Sequence, residues 1–257
     1  NDYVYVGSSQ GKLYAVNAAT GQQVWVTQAG PSIPYVDEHN VSQPLTSFAA
    51  GEGLLVIPTS TALVAYEGDT TPPTLTFGAQ APAPNAAGWN RTAVDISFTT
   101  ADDFSGVQSA VPGSPLHFGS EGANQTQQVT VTDNAGNIAS FTSPAVNTDF
   151  TAPAVTASAN PATAPKKPTP VTVTISGNVT DALSGAGSAS FNVIDEYGVT
   201  QPSGPISLQP NGSYSFTLSL PATKNGPDKD GHLYTIVVTG FDRAGNSKTA
   251  TTTLRIN

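Results

Sequence analysis

Apolar and polar residues alternate with a period of two along most of the chain, and this pattern predicts β-strands. The alternation is clearest where Val94, Ile96 and Phe98 are separated by Asp95 and Ser97. No long stretch has the period of an amphipathic helix. We therefore expect an all-β protein in which short strands are joined by turns.

Three short motifs occur twice, in the same order along the chain. Each copy begins with an Asp and a Pro-rich segment, continues with a loop containing Asp and Ser-Gly, and ends in a turn of the form Asp-x-Ala-Gly-Asn. The motifs are Asp69–Phe77, Asp102–Val107 and Thr132–Asn137 in the first copy, and Asp149–Ala157, Thr180–Gly187 and Phe241–Asn246 in the second. This order predicts two copies of one β module.

The final turn of each copy contains the residues that a tight reversal requires. Asp can accept hydrogen bonds from backbone N–H groups, while Gly136, Asn137, Gly245 and Asn246 tolerate the left-handed conformation. The interval between the Ser-Gly loop and this turn is about twice as long in the second copy. We expect the extra residues at two places, Asp195–Gln209 and Thr223–His232.

The first residues of the chain predict a different unit, a meander of three strands at Tyr3–Gly7, Lys12–Val16 and Gln22–Thr27. This segment resembles the repeat of quinoprotein-type (PQQ-like repeat) β-propellers. The resemblance rests on the signature A-x-(D/N)-x-x-T-G-x-x-x-W, which is matched by Ala15, Asn17, Thr20, Gly21 and Trp25. It implies that Thr-Gly forms a turn and that Trp fills the space between neighbouring blades.

A second, divergent blade is predicted from strands at Leu45–Ala49, Leu54–Ile57 and Ala62–Tyr66. No Trp-bearing fourth strand follows, so this region is interpreted as the C-terminal end of a propeller. One or two blades leave apolar faces exposed. We therefore expect that further blades of a larger polypeptide or a protein partner cover them. Nothing in this region predicts binding of the quinone cofactor.

The two repeated modules resemble the immunoglobulin-like repeats of bacterial secreted and surface proteins. The resemblance rests on the order of the motifs, from the Trp89 segment through DDFSGV to TDNAGN in the first copy and at SGAG and DRAGN in the second. It implies two tandem β-sandwiches. The predicted domains are thus partial propeller blades at 1–69, a sandwich at 70–149 and a larger sandwich at 150–257.

Composition narrows the possible functions. The 257 residues carry a formal charge of −9, only 11% are charged, and basic residues are scattered, which argues against nucleic-acid binding. Cysteine is absent, which excludes disulfides, thiol nucleophiles and Cys-ligated zinc. No apolar run is long enough to span a membrane. These features favour an extracellular or cell-surface protein.

The sequence predicts no enzyme. His39, His117 and His232 have no metal-binding spacing and no neighbouring triad partner, so they are interpreted as surface or loop residues. The adjacent carboxylates Asp37-Glu38, Asp102-Asp103 and Asp195-Glu196 point apart in an extended chain and are interpreted as polar loops.

Calcium is the one cofactor that the sequence brings into question. The predicted ligands are loop carboxylates, since Ca²⁺ prefers oxygen ligands: Asp102, Asp103, Asp133, Asp181 and Asp242. The alternative is that these residues cap backbone N–H groups in turns, with no cofactor.

The leading functional hypothesis is a non-enzymatic bacterial scaffold or adhesion protein in which the sandwiches act as spacer or binding modules. One alternative is a carbohydrate-binding accessory region of a secreted enzyme, for which Trp89, in a loop, is the candidate glycan platform. Another is a self-assembling cell-surface or filament protein whose strand edges pair between copies.

Overall fold

The computed structural model describes residues 3–34 and 47–257, which form strands, turns and loops without a helix. The chain is therefore all-β, as its alternating pattern predicts. None of the described residues belongs to a helix that is long and apolar enough to cross a membrane. By residue contacts the chain divides into two compact units, one formed by 1–76, 99–112 and 129–141 and the other by 77–98, 113–128 and 142–257.

The N-terminal region contains two antiparallel meanders of three strands. The strands are β1 (Tyr3–Gly7), β2 (Lys12–Asn17), β3 (Gln23–Gln28), β4 (Ala49–Gly51), β5 (Leu54–Pro58) and β6 (Leu63–Glu67), in the sheet orders β1-β2-β3 and β4-β5-β6. The strand predicted at 45–49 begins at Ala49, and residues 45–46 lie outside the described residues. Across the described parts of this region, the sheets form two meanders and no closed propeller.

The two meanders share a small apolar core. Leu13 of the first meander and Ile57 of the second are completely buried and pack together with Ala29 and Ile33. Both outer strands of the first meander nevertheless leave large apolar side chains at least 39% exposed among the described residues. These side chains are Val4, Tyr5, Val6, Val24, Trp25 and Val26.

The first repeated module forms three small sheets. Their strands are β7 (Thr74–Ala81), β8 (Val94–Ala101), β9 (Val107–Val111), β10 (Leu116–Phe118), β11 (Gly122–Gln125), β12 (Gln128–Asp133), β13 (Ile138–Thr142) and β14 (Val146–Thr148). The sheet orders are β10-β8-β7, β13-β12-β9 and β11-β14. Alternate residues of β8 and β12 are buried, including Val94, Ile96 and Val131. This confirms the predicted half-buried strands.

The second module is built from longer strands. They are β15 (Ala154–Val155), β16 (Ser158–Asn160), β17 (Thr163–Ala164), β18 (Val171–Thr180), β19 (Ala186–Asp195), β20 (Ser203–Ile206), β21 (Ser213–Leu220), β22 (His232–Asp242) and β23 (Ser247–Ile256). One sheet has the order β15-β18-β16 with β21 also paired to β18, and the other has the order β17-β23-β22-β19-β20.

The inner faces of these two sheets supply one continuous apolar core. It includes the fully buried residues Val173, Ile175, Val179, Leu220, Tyr234, Ile236, Val238, Leu254 and Ile256. The strict alternation of β22, in which every second residue is buried, follows from its place in the middle of the five-stranded sheet. Residues 152–257 thus form a β-sandwich around their own core.

Candidate functional site

The first carboxylate cluster is formed by Asp69, Asp102 and Asp133. One carboxylate oxygen from each residue lies within 4.8 Å of the other two. Asp69 precedes β7, Asp102 follows β8 and Asp133 ends β12. Asp133 is completely buried, whereas Asp69 and Asp102 are half-buried. The three landmarks of the first repeat therefore meet at one place.

Asp102 organises the Ser-Gly loop of this cluster. Its Oδ1 accepts hydrogen bonds from the backbone N–H groups of Ser105 at 2.9 Å and Gly106 at 2.8 Å. Gly106 has a φ of 77°, which a residue with a side chain adopts only with strain. The backbone N–H of Ser105 also donates to Asp69 Oδ2 at 3.2 Å. The loop thus links two of the three carboxylates.

Asn137 joins the final turn to the segment that precedes the module. Its Nδ2 donates to the carbonyl oxygen of Asp69 at 3.0 Å and to Asp133 Oδ2 at 2.8 Å. Gly136 has the left-handed conformation with a φ of 92°, whereas Asn137 has no positive φ. The predicted left-handed role holds for the glycine alone, and the asparagine provides a side-chain amide.

The second cluster repeats this arrangement with Asp149, Asp181 and Asp242, whose carboxylate oxygens also lie within 4.8 Å of one another. Asp181 Oδ1 accepts from the Gly185 N–H at 2.8 Å, and Asp149 Oδ2 accepts from the Ser184 N–H at 3.0 Å. The positions correspond to those of the first cluster one by one.

The second final turn repeats the first in the same way. Asn246 Nδ2 donates to the Asp149 carbonyl oxygen at 2.8 Å and to Asp242 Oδ2 at 2.9 Å. Gly245 is left-handed, with a φ of 95°, while Asn246 is not. The same donors, acceptors and glycine conformation therefore recur at both copies.

Hydrogen bonds favour the ionised form of one carboxylate in each cluster, Asp69 and Asp181. Bonds from Ser105 and from the Thr71 N–H lower the pKa of Asp69. Burial by itself would raise the pKa of Asp181, but bonds from the Gly185 and Leu183 N–H groups outweigh it, so the pKa of Asp181 is lowered. Within the described chain, no Lys, Arg or His forms an ion pair with any of the six carboxylates.

The structure brings together Asp102 with Asp133 and Asp181 with Asp242, four of the five predicted metal ligands. The fifth, Asp103, is exposed and lies outside the cluster. The sequence prediction missed the remaining member of each cluster. These are Asp69 and Asp149, the first residues of the two Pro-rich motifs, so their recurrence was the available signal.

One of the two described histidines is a surface residue, as predicted, and the other is not. His117, on β10, contacts Asp95 of β8 through Nδ1 at 2.7 Å, and both side chains are exposed. His232 is not a surface or loop residue, because it begins β22 and is only 4% exposed. Its Nε2 lies 2.9 Å from Oδ1 of the buried Asp195. His39 and the pair Asp37-Glu38 lie outside the described residues.

Four aromatic residues in or near loops have different environments. Trp89, the candidate glycan platform, is half-buried in the turn between β7 and β8, where its N–H donates to Asn85 Oδ1 at 3.1 Å. Phe118 is buried on β10, and the ring of Tyr197 stacks on His232. Phe104, at 65% exposure, is the one aromatic of these four that is strongly exposed.

The residues of the propeller-like signature build one turn and one contact. Asn17 Oδ1 accepts from the Ala19 and Thr20 N–H groups at 2.9 Å, and Gly21 is left-handed, with a φ of 72°. Ala15 is buried. Trp25 meets Tyr66 of the second meander edge-on, with ring centroids 5.4 Å apart. These residues thus build one tight turn and one contact between the two meanders, while the sheets of the described residues form no closed propeller.

Comparisons with known proteins give weak likenesses. No protein-family model matches the chain, and no curated protein matches it. The fibronectin(III)-like modules of Clostridium thermocellum CbhA align with a TM-score of 0.32 and 12% identity, over 72% of this chain and 94% of theirs. Activated alpha-2-macroglobulin of Escherichia coli aligns with a TM-score of 0.30 and 10% identity, over 79% of this chain and 25% of its own. The D00-D0 domain of intimin aligns with a TM-score of 0.28 and 15% identity, over 70% of this chain and 99% of its own. Likenesses this low carry no argument about function.

Proposed function

We propose that this chain is a non-enzymatic, extracellular or cell-surface spacer whose modules are joined by short, fastened linkers. One observation carries the proposal: the linker at Asp149–Thr151 is hydrogen-bonded from both sides. Glu121 Oε1, before β11, accepts from the Phe150 N–H at 2.6 Å and from the Thr151 hydroxyl at 2.8 Å. Asn246, after β22, donates to the carbonyl oxygen of Asp149.

The linker before the first module has the same character. The N–H of Gly68 donates to the carbonyl oxygen of Gly53, in the turn between β4 and β5, at 2.7 Å. The next residue, Asp69, is held by Asn137 and Ser105. Short linkers with this many hydrogen bonds restrict bending, in contrast to flexible Gly/Ser-rich tethers. Linkers that bend little suit a spacer, because its function depends on the distance between its two ends.

Linker stiffness can be measured directly, because the chain has no cysteine and single labels are easily placed. Spin labels at Thr126→Cys and Thr251→Cys, both exposed, should give a narrow distance distribution by pulsed electron spin resonance. Combining Glu121→Ala with Asn246→Ala should broaden it. The control is Glu67→Ala, an exposed glutamate on β6, which should change nothing. A broad distribution in the unmutated chain would refute the proposal.

The competing hypothesis is that the modules bind a ligand and do not act only as spacers. A pure spacer should bind no glycan on an array. Binding that is lost in Trp89→Ala would instead favour the carbohydrate-binding accessory region, although the half-buried position of Trp89 does not support it. Concentration-dependent fibres or discrete oligomers in light scattering would favour the self-assembling alternative.

We also propose that another strand meander covers the exposed apolar residues of β1 and β3, supplied by the larger polypeptide or by a protein partner. The contact of Trp25 with Tyr66 shows how one meander covers its neighbour. Burying exposed apolar area contributes about 25 cal/mol per Å². The intact mass of the native polypeptide is the test, since a mass well above that of these 257 residues would indicate further blades. A mass matching them, with no partner or self-association, would refute this proposal.

Calcium binding at the two carboxylate clusters is a second candidate function. It is favoured by the convergence of three carboxylates without an ion-paired basic side chain, because like charges this close repel unless a cation or proton offsets them. Asp102 and Asp133 with Asp69, and Asp181 and Asp242 with Asp149, are the proposed ligands.

Calorimetric titration with calcium after chelator treatment tests this candidate. Two binding events are expected, and Asp133→Asn should remove one while leaving the other intact. The matched control is Asp103→Asn, which lies outside the cluster and should keep both events. No heat of binding at millimolar calcium would show that the aspartates serve only as backbone caps.

A further inference from the structure

His232 lies in a buried network that the proposed spacer function does not use. Both of its ring nitrogens contact oxygen atoms. Nδ1 is 2.8 Å from the carbonyl oxygen of Thr223, and Nε2 is 2.9 Å from Asp195 Oδ1. The exposed fraction is 4% for His232 and 6% for Asp195, so water does not compete for either contact.

The hydrogen bonds to Asp195 indicate that it is an ionised carboxylate. Oδ1 accepts from the Tyr197 N–H at 2.8 Å, in addition to facing His232. Oδ2 accepts from Gln201 Nε2 at 2.7 Å. Tyr197 and Gln201 are donors, so a proton shared by Asp195 and His232 can lie only between Oδ1 and Nε2, and it lies on the ring because imidazole is a stronger base than a carboxylate. Both oxygens therefore act as acceptors.

The protonation of His232 follows from its two partners. A backbone carbonyl can only accept a hydrogen bond, so Nδ1 carries a proton. An ionised carboxylate also only accepts, so Nε2 carries a proton as well. A neutral ring would place a nitrogen lone pair against a carboxylate oxygen in a buried site, which is strongly unfavourable.

Two tyrosine rings flank the imidazole and suit a cation. The Tyr197 ring is stacked at a centroid distance of 4.1 Å, and the Tyr234 ring lies at 4.2 Å. Aromatic faces attract positive charge. The Tyr197 hydroxyl in turn donates to Asp228, which fixes Tyr197 over the histidine.

We propose that His232 is a buried imidazolium cation that acts as a clasp on the two inserted segments of the second module. Its partners come from both insertions: Asp195, Tyr197 and Gln201 from the first, and Thr223 and Asp228 from the second. Its two ring N–H groups hold these segments against the start of β22.

The remaining charged groups around the clasp are mostly acidic. Glu196 accepts from the Leu233 N–H at 2.7 Å, and Asp228 reaches the network through Tyr197. On the neighbouring β23, Arg255 pairs with Leu233 in register but directs its guanidinium to Asp230. The basic residues Lys224 and Lys229 also lie in the second inserted segment, next to Thr223 and Asp228 in sequence.

Nitrogen NMR of the full chain, labelled with ¹⁵N-histidine, tests the protonation directly. At pH 7.5 both His232 nitrogens should give N–H-type signals, with slowly exchanging ring protons. The spectrum of His232→Gln assigns these signals. The control is His117, whose exposed pair with Asp95 should show rapid proton exchange. One pyridine-type nitrogen at His232 at this pH would overturn the proposal.

Trypsin cleavage tests the clasp itself, because Lys224 and Lys229 lie in the second inserted segment. His232→Gln should speed cleavage there about tenfold or more, the change expected from losing a charged hydrogen bond. His117→Gln should cleave at the unmutated rate. Equal cleavage of all three proteins would refute the clasp. If His232→Gln does not fold, His117→Gln assigns the signals of His117, and the slow exchange expected of the His232 ring protons distinguishes them from the remaining histidine.

Discussion

The two repeated modules agree closely at their carboxylate clusters and differ at their histidine–aspartate pairs. The clusters share the same donors, acceptors and left-handed glycines, so that Asp102 corresponds to Asp181 and Asn137 to Asn246. The histidine pairs are unrelated in position and environment. One is exposed on paired strands, and the other is buried beneath two insertions.

This difference distinguishes the end of a module that has the same geometry in both copies from the end that varies. In the second module, β22 begins at His232 and ends at Asp242, so the clasp and the cluster lie at the two ends of one strand. The cluster end receives the linker and has the same geometry in both copies. The other end carries insertions in the second copy. Inserted loops bury additional polar groups, and buried polar groups require hydrogen-bond partners. The insertions of the second module are therefore accompanied by a hydrogen-bond network of their own.

The largest expected effect is the loss of folding stability when a core side chain is truncated. It tests whether the two modules differ in their cores as well as in their loops. Ile96→Ala in the first module and Ile236→Ala in the second each remove a fully buried side chain. Each should lower the free energy of unfolding of its module by about 2–5 kcal/mol. Urea unfolding measures the change. The control Ile194→Ala is half exposed and should change it by less than about 0.5 kcal/mol.

The next effect tests the equivalence of the clusters. Asp133→Ala removes the acceptor of the Asn137 backbone N–H and side-chain amide, and Asp242→Ala removes the acceptor of the Gly245 and Asn246 backbone N–H groups and of the Asn246 side-chain amide. Each change should cost about 3 kcal/mol, since charged acceptors contribute more than neutral ones. Thermal unfolding in the presence of a chelator measures both. A cost found in one module alone would break the comparison.

Low pH should destabilise the loops of both carboxylate clusters. The pKa values of Asp69 and Asp181 are lowered from their ordinary value of 3.8, so their contribution is present above about pH 4 and is lost as the pH falls below it. Amide hydrogen exchange at Gly106 and Gly185 should therefore accelerate over the same range, after correction for the intrinsic pH dependence of exchange. Exchange that stays constant after this correction would contradict the role of the ionised carboxylates.

The smallest effect belongs to the exposed histidine pair. His117→Gln should change the free energy of unfolding by less than about 1 kcal/mol, because exposed ion pairs contribute little. Urea unfolding at pH 6 and pH 8 is the measurement. A loss at His117 as large as that at His232 would mean that burial is not what separates the two pairs.

Most strands could be predicted, because alternation and turn residues are local properties of the chain. The strands β1, β2, β3, β5, β6 and β8 lie within a few residues of the positions that the pattern predicts. The turn at Asp133–Asn137 was predictable for the same reason, since Gly136 alone can adopt its φ without strain. Two of three carboxylates in each cluster were predicted because they lie in these local motifs.

The rest depends on contacts between residues far apart in the chain. Asp69 and Asp149 join their clusters only because the strands bring distant loops together, and neighbouring residues do not encode that meeting. His232 reads as a loop residue at the end of a polar stretch, and only the sandwich buries it against Asp195. The sequence by itself determined the strands, the turns and the repeat. The tertiary structure decided which carboxylates converge and which histidine is buried, because proximity and burial arise from packing between strands.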